Sequence, residues 1–283
     1  MLRLRVLTAL GLVFSFLVAL FCLPALYWSL VLLAGFGVGA YEWARLAGFG
    51  RLGRGFYVGA TIVAGLVVLW AGRGESAQAS AWLPKILFGL SAAFWLCIAP
   101  LWLLRRWAPQ EGWALALVGW ILLLPTWAAL SGLRAQGAVS LLVLLMIIWI
   151  ADTAAYFAGR GFGRHKLAPR ISPGKTWEGV AGAFGAVGLY AVACKLAGFR
   201  GLDGLGDGVG SVLLSILVFW CLTYFGILGD LFESWMKRQA GLKDSGRILP
   251  GHGGLLDRID ALTSTMPLAA LGWLWLDPQL LHR

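Results

Sequence analysis

Acidic and basic side chains gather in residues 230–260 of a chain in which only 13% of the residues are charged. Four polar residues recur at i, i+3, i+4 and i+7, a spacing that places them on one face of a helix: Asp230, Glu233, Ser234 and Lys237. Asp257 and Asp260 open a second apolar run. The residues between the two runs permit a tight turn, so a helical hairpin can bring Asp230 and Asp257 together.

Two carboxylates from separate helices predict a magnesium site, since Mg²⁺ is often held by one or two carboxylates together with substrate phosphates. Asp230 and Asp257 are the candidate metal ligands. Cations that could hold phosphate oxygens surround them in the sequence: Lys237, Arg238, Lys243, Arg247 and Arg258. His252-Gly253-Gly254 adds a histidine and backbone N–H groups that could face an anion. The alternative is that these charges form surface ion pairs of small energetic value.

The composition of this chain indicates whether water or lipid surrounds most of it. Hydrophobic residues make up 60% of it and the mean hydropathy is +0.81, whereas a soluble domain carries about 25% charged residues. A helix needs about 20 mostly apolar residues to cross a bilayer, and several runs are that long. The net charge of +10 comes from cations in short loops between apolar runs. This is typical of membrane orientation, and we expect no nucleic-acid partner.

The apolar runs predict an all-α polytopic membrane protein with about nine transmembrane helices. Their expected ranges are 5–23, 25–43, 56–72, 86–104, 113–131, 138–158, 178–197, 211–231 and 260–277. We divide the chain into an N-terminal region, 1–137, with spans one to five, and a C-terminal catalytic region, 138–283, with spans six to nine. The four cysteines lie singly inside apolar runs, which argues against a disulfide framework or a zinc site.

Lysine and arginine residues indicate the orientation, because cytoplasmic loops carry an excess of them. If the N-terminus is cytoplasmic and the C-terminus is outside, most of the 23 lysine and arginine residues fall on the cytoplasmic side. The excess comes mainly from two long loops, 159–178 and 230–260, which could instead be basic because of catalysis. In this orientation both loops face the cytoplasm, where a nucleoside triphosphate is available.

One long motif carries a family resemblance, and it reads Ser234-x-Met236-Lys237-Arg238-x4-Lys243-Asp244-x-Gly246-x2-Leu249-Pro250-x-His252-Gly253-Gly254-Leu255-x-Asp257-Arg258-Ile259-Asp260. It resembles the signature of phosphatidate cytidylyltransferases, also called CDP-diglyceride synthases, and does not depart from that pattern. Asp152 resembles the family's aspartate at the end of an earlier helix. A second segment is similar to the family's Ser-Pro-Lys-Lys-Thr-Trp-Glu-Gly and reads Ser172-Pro173-Gly174-Lys175-Thr176-Trp177-Glu178-Gly179. It departs from the family at Gly174, where a lysine is usual.

The resemblance implies that CTP and phosphatidic acid give CDP-diacylglycerol and pyrophosphate for phospholipid biosynthesis, with Mg²⁺ required and K⁺ beside it. It places the metal on Asp230 and Asp257. The candidate catalytic residues are these two with Lys237, Arg238 and Lys243. The candidate substrate-binding residues are Ser234, Asp244, His252, Gly253, Gly254, Arg258, Asp260, Lys175, Asp152 and Glu178. Asp152 and Glu178 could instead satisfy polar groups between helices. The expected setting is a bacterial inner membrane, with the active site on its cytoplasmic side.

Two other functions fit parts of the pattern. A CTP-dependent lipid kinase would transfer the γ-phosphate of CTP in place of the cytidylyl group. A secondary transporter also contains acids and glycine-broken helices in the membrane, but it usually carries them near the bilayer midplane and shows paired repeats. Small residues at Gly35, Gly37 and Gly39 could support close helix contact in a homodimer.

Overall fold

Long apolar runs become helices because a backbone in lipid can satisfy its N–H and C=O groups only within the segment itself. The structure, a computed structural model, describes residues 2–72, 77–246, 248 and 253–276. Its α-helices in chain order are α1 (Leu2–Cys22), α2 (Ala25–Leu46), α3 (Arg51–Ala71), α4 (Ala77–Ala93), α5 (Ala99–Arg105), α6 (Gly112–Ala135), α7 (Ala138–Phe162), α8 (Trp177–Leu196), α9 (Val209–Gln239) and α10 (Leu256–Leu276).

Shorter elements connect these helices. A π-helical turn, Phe94–Ile98, joins α4 to α5 without a break. Strands β1 (Lys166–Ala168) and β2 (Ser172–Thr176) pair antiparallel in the loop before α8. A 3₁₀-helix, Arg200–Leu205, precedes α9. The β-hairpin is thus a small departure from the all-α expectation, and it lies in one of the two basic loops.

Seven helical stretches in the described part of the chain are long enough and apolar enough to cross a membrane: Ala25–Leu46, Arg51–Ala71, Trp82–Arg105, Gly112–Ala135, Ala138–Phe162, Trp177–Leu196 and Val209–Gln239. The prediction of a polytopic α-helical membrane protein is confirmed. The first and last predicted spans fall on α1 and α10. Val13–Cys22 of α1 counts as a shorter apolar helix, and α10 carries polar residues such as Thr263 in its middle.

Two helix ends differ from the expected ones in a way that matters for the site. α9 continues to Gln239, whereas we expected the eighth span to end at 231. The polar residues after its apolar run extend the same helix because their backbone still closes i→i−4 hydrogen bonds. α10 begins at Leu256 rather than at 260, so Asp257 lies in its first turn.

Buried tryptophans hold α2 against α6. Trp43 of α2 donates its indole N–H to the carbonyl oxygen of Leu115 at 2.7 Å. Trp127 of α6 donates in the opposite direction, to the carbonyl oxygen of Ser29 at 2.9 Å. Since an unsatisfied polar group is costly in lipid, these bonds fix the two helices in one rotational setting.

The small residues that we expected to support a dimer make contacts inside the chain. A Cβ built on Gly35 or Gly39 of α2 would lie 3.8 or 3.5 Å from a leucine beside the start of α10. A Cβ on Gly37 would lie 3.1 Å from Ile62 of α3. These glycines therefore let α2 approach α3 and α10, and the homodimer stays a prediction that they do not support.

The close crossing of α9 and α10 depends on Gly229. A Cβ there would lie 2.7 Å from the carbonyl oxygen of Asp260 and 2.6 Å from the hydroxyl of Ser264, so any side chain would separate the helices. Ser264 also donates its hydroxyl to a carbonyl oxygen of α9 at 2.6 Å. The two helices are antiparallel at this crossing. It therefore sets Asp230 beside Asp260, while Asp257 lies further toward the C-terminal end of α9.

Candidate active site

Asp257 is held by a lysine and by backbone N–H groups. Its Oδ1 lies 2.7 Å from Lys237 Nζ, and its Oδ2 accepts the N–H groups of Ser245 at 3.1 Å and of Gly254 at 2.8 Å. The side chain is only 7% exposed, so these partners replace the water that a buried carboxylate would otherwise need. Gly253 adopts φ +83°, and a Cβ there would lie 2.7 Å from the same Oδ2. Only glycine fits this turn.

Lys237 bridges Asp257 to a second acid, Glu233. Its Nζ lies 2.5 Å from Glu233 Oε2, one turn earlier on α9. Glu233 is buried, Lys237 is only 12% exposed, and Glu233 also lies within electrostatic range of Asp260. A single lysine thus neutralises part of a buried acidic cluster. Glu233 belongs to this cluster, although we did not count it among the candidate site residues.

Asp230 is paired with a lysine from the other basic loop. Lys175 Nζ forms an ion pair with Asp230 Oδ2, and Ser234 Oγ donates to Asp230 Oδ1 at 3.3 Å. Lys175 directly precedes Thr176, whose hydroxyl accepts the N–H of Gly179 at 3.1 Å and caps α8. Such a cap satisfies one of the free N–H groups of a helix start. It also fixes the strand-to-helix junction from which Lys175 reaches α9.

A cavity of about 570 Å³ opens between α7, α8, α9 and β2. Asp152 of α7, Lys175 and Asp230 line it together with Tyr156 and Arg160. Asp152 lies within electrostatic range of both Asp230 and Lys175. The volume falls within the range of small-molecule sites, roughly 300–1,000 Å³. The cavity can therefore present carboxylates and a cation to one ligand.

Magnesium fits the chemistry of this cluster. The carboxylates of Asp152 and Asp260 each lie close enough to that of Asp230 to repel it. Lys175 pairs with Asp230, which leaves an excess of negative charge that a further cation would reduce. Carboxylate oxygens are ligands that Mg²⁺ prefers. The described residues contain no group of three or more His, Cys, Asp or Glu side chains arranged to hold a metal. Substrate phosphates would have to complete the coordination.

The two predicted metal ligands have different surroundings. Asp230 lines the cavity, whereas Asp257 faces Lys237 and the loop N–H groups. Both lie at the same end of the α9–α10 pair, as the predicted hairpin requires. Their shared metal stays a prediction, because Lys237 would have to leave Oδ1 before that atom could contact an ion.

Arg238 ties the two basic loops together. It donates from Nε to the carbonyl oxygen of Ile171 at 3.5 Å and from Nη1 to that of Leu242 at 3.4 Å. The first acceptor belongs to the hairpin loop and the second follows α9. The predicted phosphate contact of Arg238 would therefore come from a side chain that also holds the rim of the site together.

Three further candidates are exposed around the start of α10 and the preceding loop: Lys243, Asp244 and Arg258. Arg258 lies within electrostatic range of Asp152, which connects it to the cavity. Arg247 and His252 lie outside the described residues, so their phosphate contacts stay predictions. Exposed cations at this position can meet an anionic substrate that arrives from the aqueous side.

Glu178 contacts the hairpin. Both of its carboxylate oxygens lie 3.2 Å from the N–H of His165, which donates to them, and Oε1 lies 2.7 Å from His165 Nδ1. The carbonyl oxygen of His165 accepts the N–H of Trp177 at 2.9 Å. These bonds close the base of the β1–β2 hairpin. Glu178 thus has a structural contact, and its contact with substrate stays a prediction.

Glu42 of α2 belongs to the same group of contacts, although neither motif includes it. Its side chain is buried, and it accepts the N–H of Leu256 at 2.8 Å and the hydroxyl of Ser245 at 3.0 Å. The sequence did contain a signal, a single carboxylate inside a long apolar run. Such a residue is costly in a membrane and is usually functional.

A polytopic helix bundle with carboxylates, lysines and a cavity at one end defines a membrane-embedded enzyme for anionic substrates. The chain belongs to the Cytidylyltransferase family, whose profile matches residues 3–274. A phosphatidate cytidylyltransferase from Pseudomonas aeruginosa is 38% identical to it over 96% of this chain and 97% of its own length. A protein of the same name from Haemophilus influenzae is 34% identical over 94% of this chain and 96% of its own.

Proposed function

We propose that this protein transfers the cytidylyl group of CTP to phosphatidic acid and so makes CDP-diacylglycerol and pyrophosphate. The observation that carries this conclusion is the match, over nearly the whole chain, to relatives named phosphatidate cytidylyltransferase. The family profile spans both segments that form the site, 172–179 and 230–260. The lysines of the site suit the reaction because both substrates are anionic where they react.

The reaction sets the demands on the site. A phosphate oxygen of phosphatidic acid attacks the α-phosphorus of CTP in line with the bond to the β-phosphate. A P–O bond forms at the α-phosphorus, the α–β bridging P–O bond breaks, and pyrophosphate leaves with the electron pair. Because the nucleophile is already an anion, no strong general base is needed. The protein must supply alignment and charge neutralisation.

Lys175 and Lys237 are the cations held deepest in the site. Each contacts a carboxylate, Asp230 and Asp257 respectively, and each can exchange that carboxylate for a phosphate oxygen when substrates bind. Ser234, beside Asp230, orients a phosphate oxygen through its hydroxyl. The cations at the rim, Arg238, Lys243 and Arg258, attract the triphosphate of CTP and the lipid phosphate.

We assign Mg²⁺ to Asp230 and Asp257, with phosphate oxygens as the remaining ligands. When bound, the ion supplies charge stabilisation at the phosphates. The K⁺ ion rests on the family resemblance alone. EDTA should stop product formation, and added Mg²⁺ should restore it. Full activity after complete chelation would contradict the assignment.

We further propose nine spans, with the N-terminus in the cytoplasm and the C-terminus outside, in a bacterial inner membrane. The support is that α1 and α10 each contain 21 residues, about 31 Å at 1.5 Å per residue, which matches a hydrocarbon core about 30 Å thick. Contacts between the two basic loops, such as Lys175 with Asp230, put both at one end of the bundle, and the excess of lysine and arginine there supports a cytoplasmic active site.

Labelling tests this orientation. In a variant without the native cysteines, Gly174→Cys should react with a membrane-impermeant maleimide only after the cytoplasmic face is made accessible. Asp203→Cys, in the 3₁₀-helix before α9, should react from outside in intact spheroplasts. The reverse pattern would contradict the orientation and leave the reaction itself unaffected.

CTP labelled at one phosphorus separates the two enzymatic candidates. With protein in detergent, phosphatidic acid and Mg²⁺, cytidylyl transfer puts the α-label into lipid and the γ-label into pyrophosphate. A lipid kinase would put the γ-label into lipid, and a transporter would leave CTP intact. Either of these results from folded protein would overturn the proposed function. The gathering of charges at one end of the bundle, away from its middle, already favours the enzyme.

A further inference from the structure

Glu42 lies on α2, far in sequence from both loop motifs, yet it contacts the segments that surround Asp257. Its side chain is 2% exposed. Its oxygens accept the N–H of Leu255 at 3.1 Å, the N–H of Leu256 at 2.8 Å and the hydroxyl of Ser245 at 3.0 Å. Three donors from two segments of the 230–260 loop therefore converge on one buried carboxylate.

The two N–H groups are those at the start of α10. The first N–H groups of a helix have no partner within the helix and are usually satisfied by a local cap. Here the partner is a carboxylate from another helix, placed where the helix dipole favours negative charge. A buried charge is tolerated only with such partners. Glu42 therefore fixes where α10 begins and how it is oriented against α2.

Ser245 connects Glu42 to Asp257. The Ser245 hydroxyl donates to Glu42, while its N–H donates to Asp257 at 3.1 Å. The segment before α10 likewise donates to both carboxylates. Gly254 donates its N–H to Asp257, and the following two N–H groups donate to Glu42. The two carboxylates thus share the donors of the same two segments, and a shift of one segment changes the contacts of both.

The loop and the start of α10 pack closely against the Glu42 carboxylate. A Cβ added to Gly246 or to Gly254 would collide with the Glu42 oxygens, and at Gly254 also with Ser245 Oγ. Backbone lies directly against the carboxylate on both sides. The position of Asp257, one residue after the second N–H that Glu42 binds, is therefore set from α2.

We propose that Glu42 is a positioning residue for cytidylyl transfer, and that it acts by holding the 242–246 segment and the start of α10 so that Asp257 faces the reacting phosphates. The proposal rests on the proposed function. It assigns to α2, in the N-terminal region, an effect on the rate of reaction that acts through Asp257. It requires that Glu42 itself touch neither substrate.

Glu42→Gln tests this role with little change in side-chain volume. The amide NH₂ replaces one acceptor oxygen and faces a donor, so the loop and the start of α10 shift. Because a misplacement of about 1 Å can cost about a hundredfold in rate, kcat per folded molecule should fall at least about tenfold. The KM for CTP should change less than about threefold, since the cations at the rim are unchanged.

The matched control is Glu111→Gln, which removes the same charge from an exposed residue that makes no side-chain cap bond to α6. It should leave kcat and KM as in the unmodified protein. Ser245→Ala removes only the hydroxyl that donates to Glu42 and should lower kcat by about threefold, the effect of one ordinary hydrogen bond. In the double variant kcat should fall by less than the product of the two single reductions, because both changes break the same contact between Ser245 and Glu42.

Folded protein is quantified by size-exclusion elution and thermal melting in detergent, so that kcat refers to folded molecules. Unchanged kcat for Glu42→Gln, with only a lower melting temperature, would show a purely structural role and overturn the proposal. If Glu42→Gln does not fold, unchanged kcat for folded Ser245→Ala has the same consequence. The proposed function fails differently, because the unmodified protein would then make no CDP-diacylglycerol.

Discussion

The first six helices and the last four satisfy their buried polar groups in different ways. In α1–α6 the described side-chain bonds between helices are mostly donated by tryptophan, tyrosine or arginine to carbonyl oxygens, as with Trp43 on Leu115. The last four helices contain such bonds too, as with Trp220 on Phe184, but together with the loop before α8 they also carry the described carboxylate–lysine ion pairs, such as Asp257 with Lys237. A neutral indole bond offers nothing to an anionic substrate, whereas a lysine can exchange a carboxylate for a phosphate. The carboxylate–lysine ion pairs therefore distinguish the site from the scaffold.

Glu42 is the exception that joins the two regions. It is a carboxylate on α2, but its partners are the loop and helix start that surround Asp257. The expected division of the chain at residue 137 is therefore crossed by hydrogen bonds that the site needs. Packing crosses it as well, since α10 contacts α2, α4 and α6. The scaffold therefore positions the site through this packing and, at Asp257, through Glu42.

Removing charge from the site should have the largest effect. Asp230→Asn should lower kcat by roughly a thousandfold, because it removes the proposed metal ligand and with it several kcal/mol of transition-state stabilisation, at about 1.4 kcal/mol per factor of ten. CDP-diacylglycerol formation in detergent measures this. Asp203→Asn, the same change in the exposed 3₁₀-helix, is the control and should be neutral. Near-normal turnover of folded Asp230→Asn would remove Asp230 from the chemistry.

Breaking the buried lysine bridge should destabilise the C-terminal region. Lys237→Ala leaves Glu233 and Asp257 buried without their shared cation and should lower the free energy of unfolding by about 3–5 kcal/mol. Denaturant titration in detergent measures it. Lys243→Ala, at an exposed position, should change stability by less than about 0.5 kcal/mol. Adding Glu233→Gln to the Lys237→Ala variant should recover part of the loss, and no recovery would show that the acids are not what the lysine stabilises.

A scaffold contact should affect stability and leave turnover unchanged. Trp127→Phe removes the N–H bond to Ser29 and should cost roughly 1 kcal/mol of unfolding free energy, while kcat per folded molecule stays within about twofold. Trp70→Phe, at a residue 79% exposed, is the matched control. A large fall in kcat for Trp127→Phe would mean that the first six helices do more than hold the site in place.

The smallest effect is expected where the chain departs from the family motif. Gly174 is exposed, and a Cβ added there meets no atom within 4 Å. Gly174→Lys should therefore fold normally and change kcat by less than about twofold, since Lys175 already supplies the contact with Asp230. Steady-state kinetics measures this. A rise of tenfold or more would show that the site lacks a cation which the family's lysine provides.

Much of the architecture could be predicted from local composition. An apolar run of about 20 residues forms a helix in lipid whatever its neighbours are, so helices appear within or close to the predicted ranges. The motif 234–260 likewise indicated the family without any structure. Helix ends were less predictable, because α9 carries polar residues well past its apolar run.

The polytopic helical chain, its family and its two charged loops could be predicted from residue types and spacing. Three contacts became visible only in the folded protein: Lys175 pairs with Asp230, loop N–H groups hold Asp257, and Glu42 accepts N–H groups at the start of α10. The physical reason is that membrane helices here are apolar on nearly every face, so periodicity does not tell which faces meet. Partners for buried charges are chosen by packing between helices that are distant in the chain.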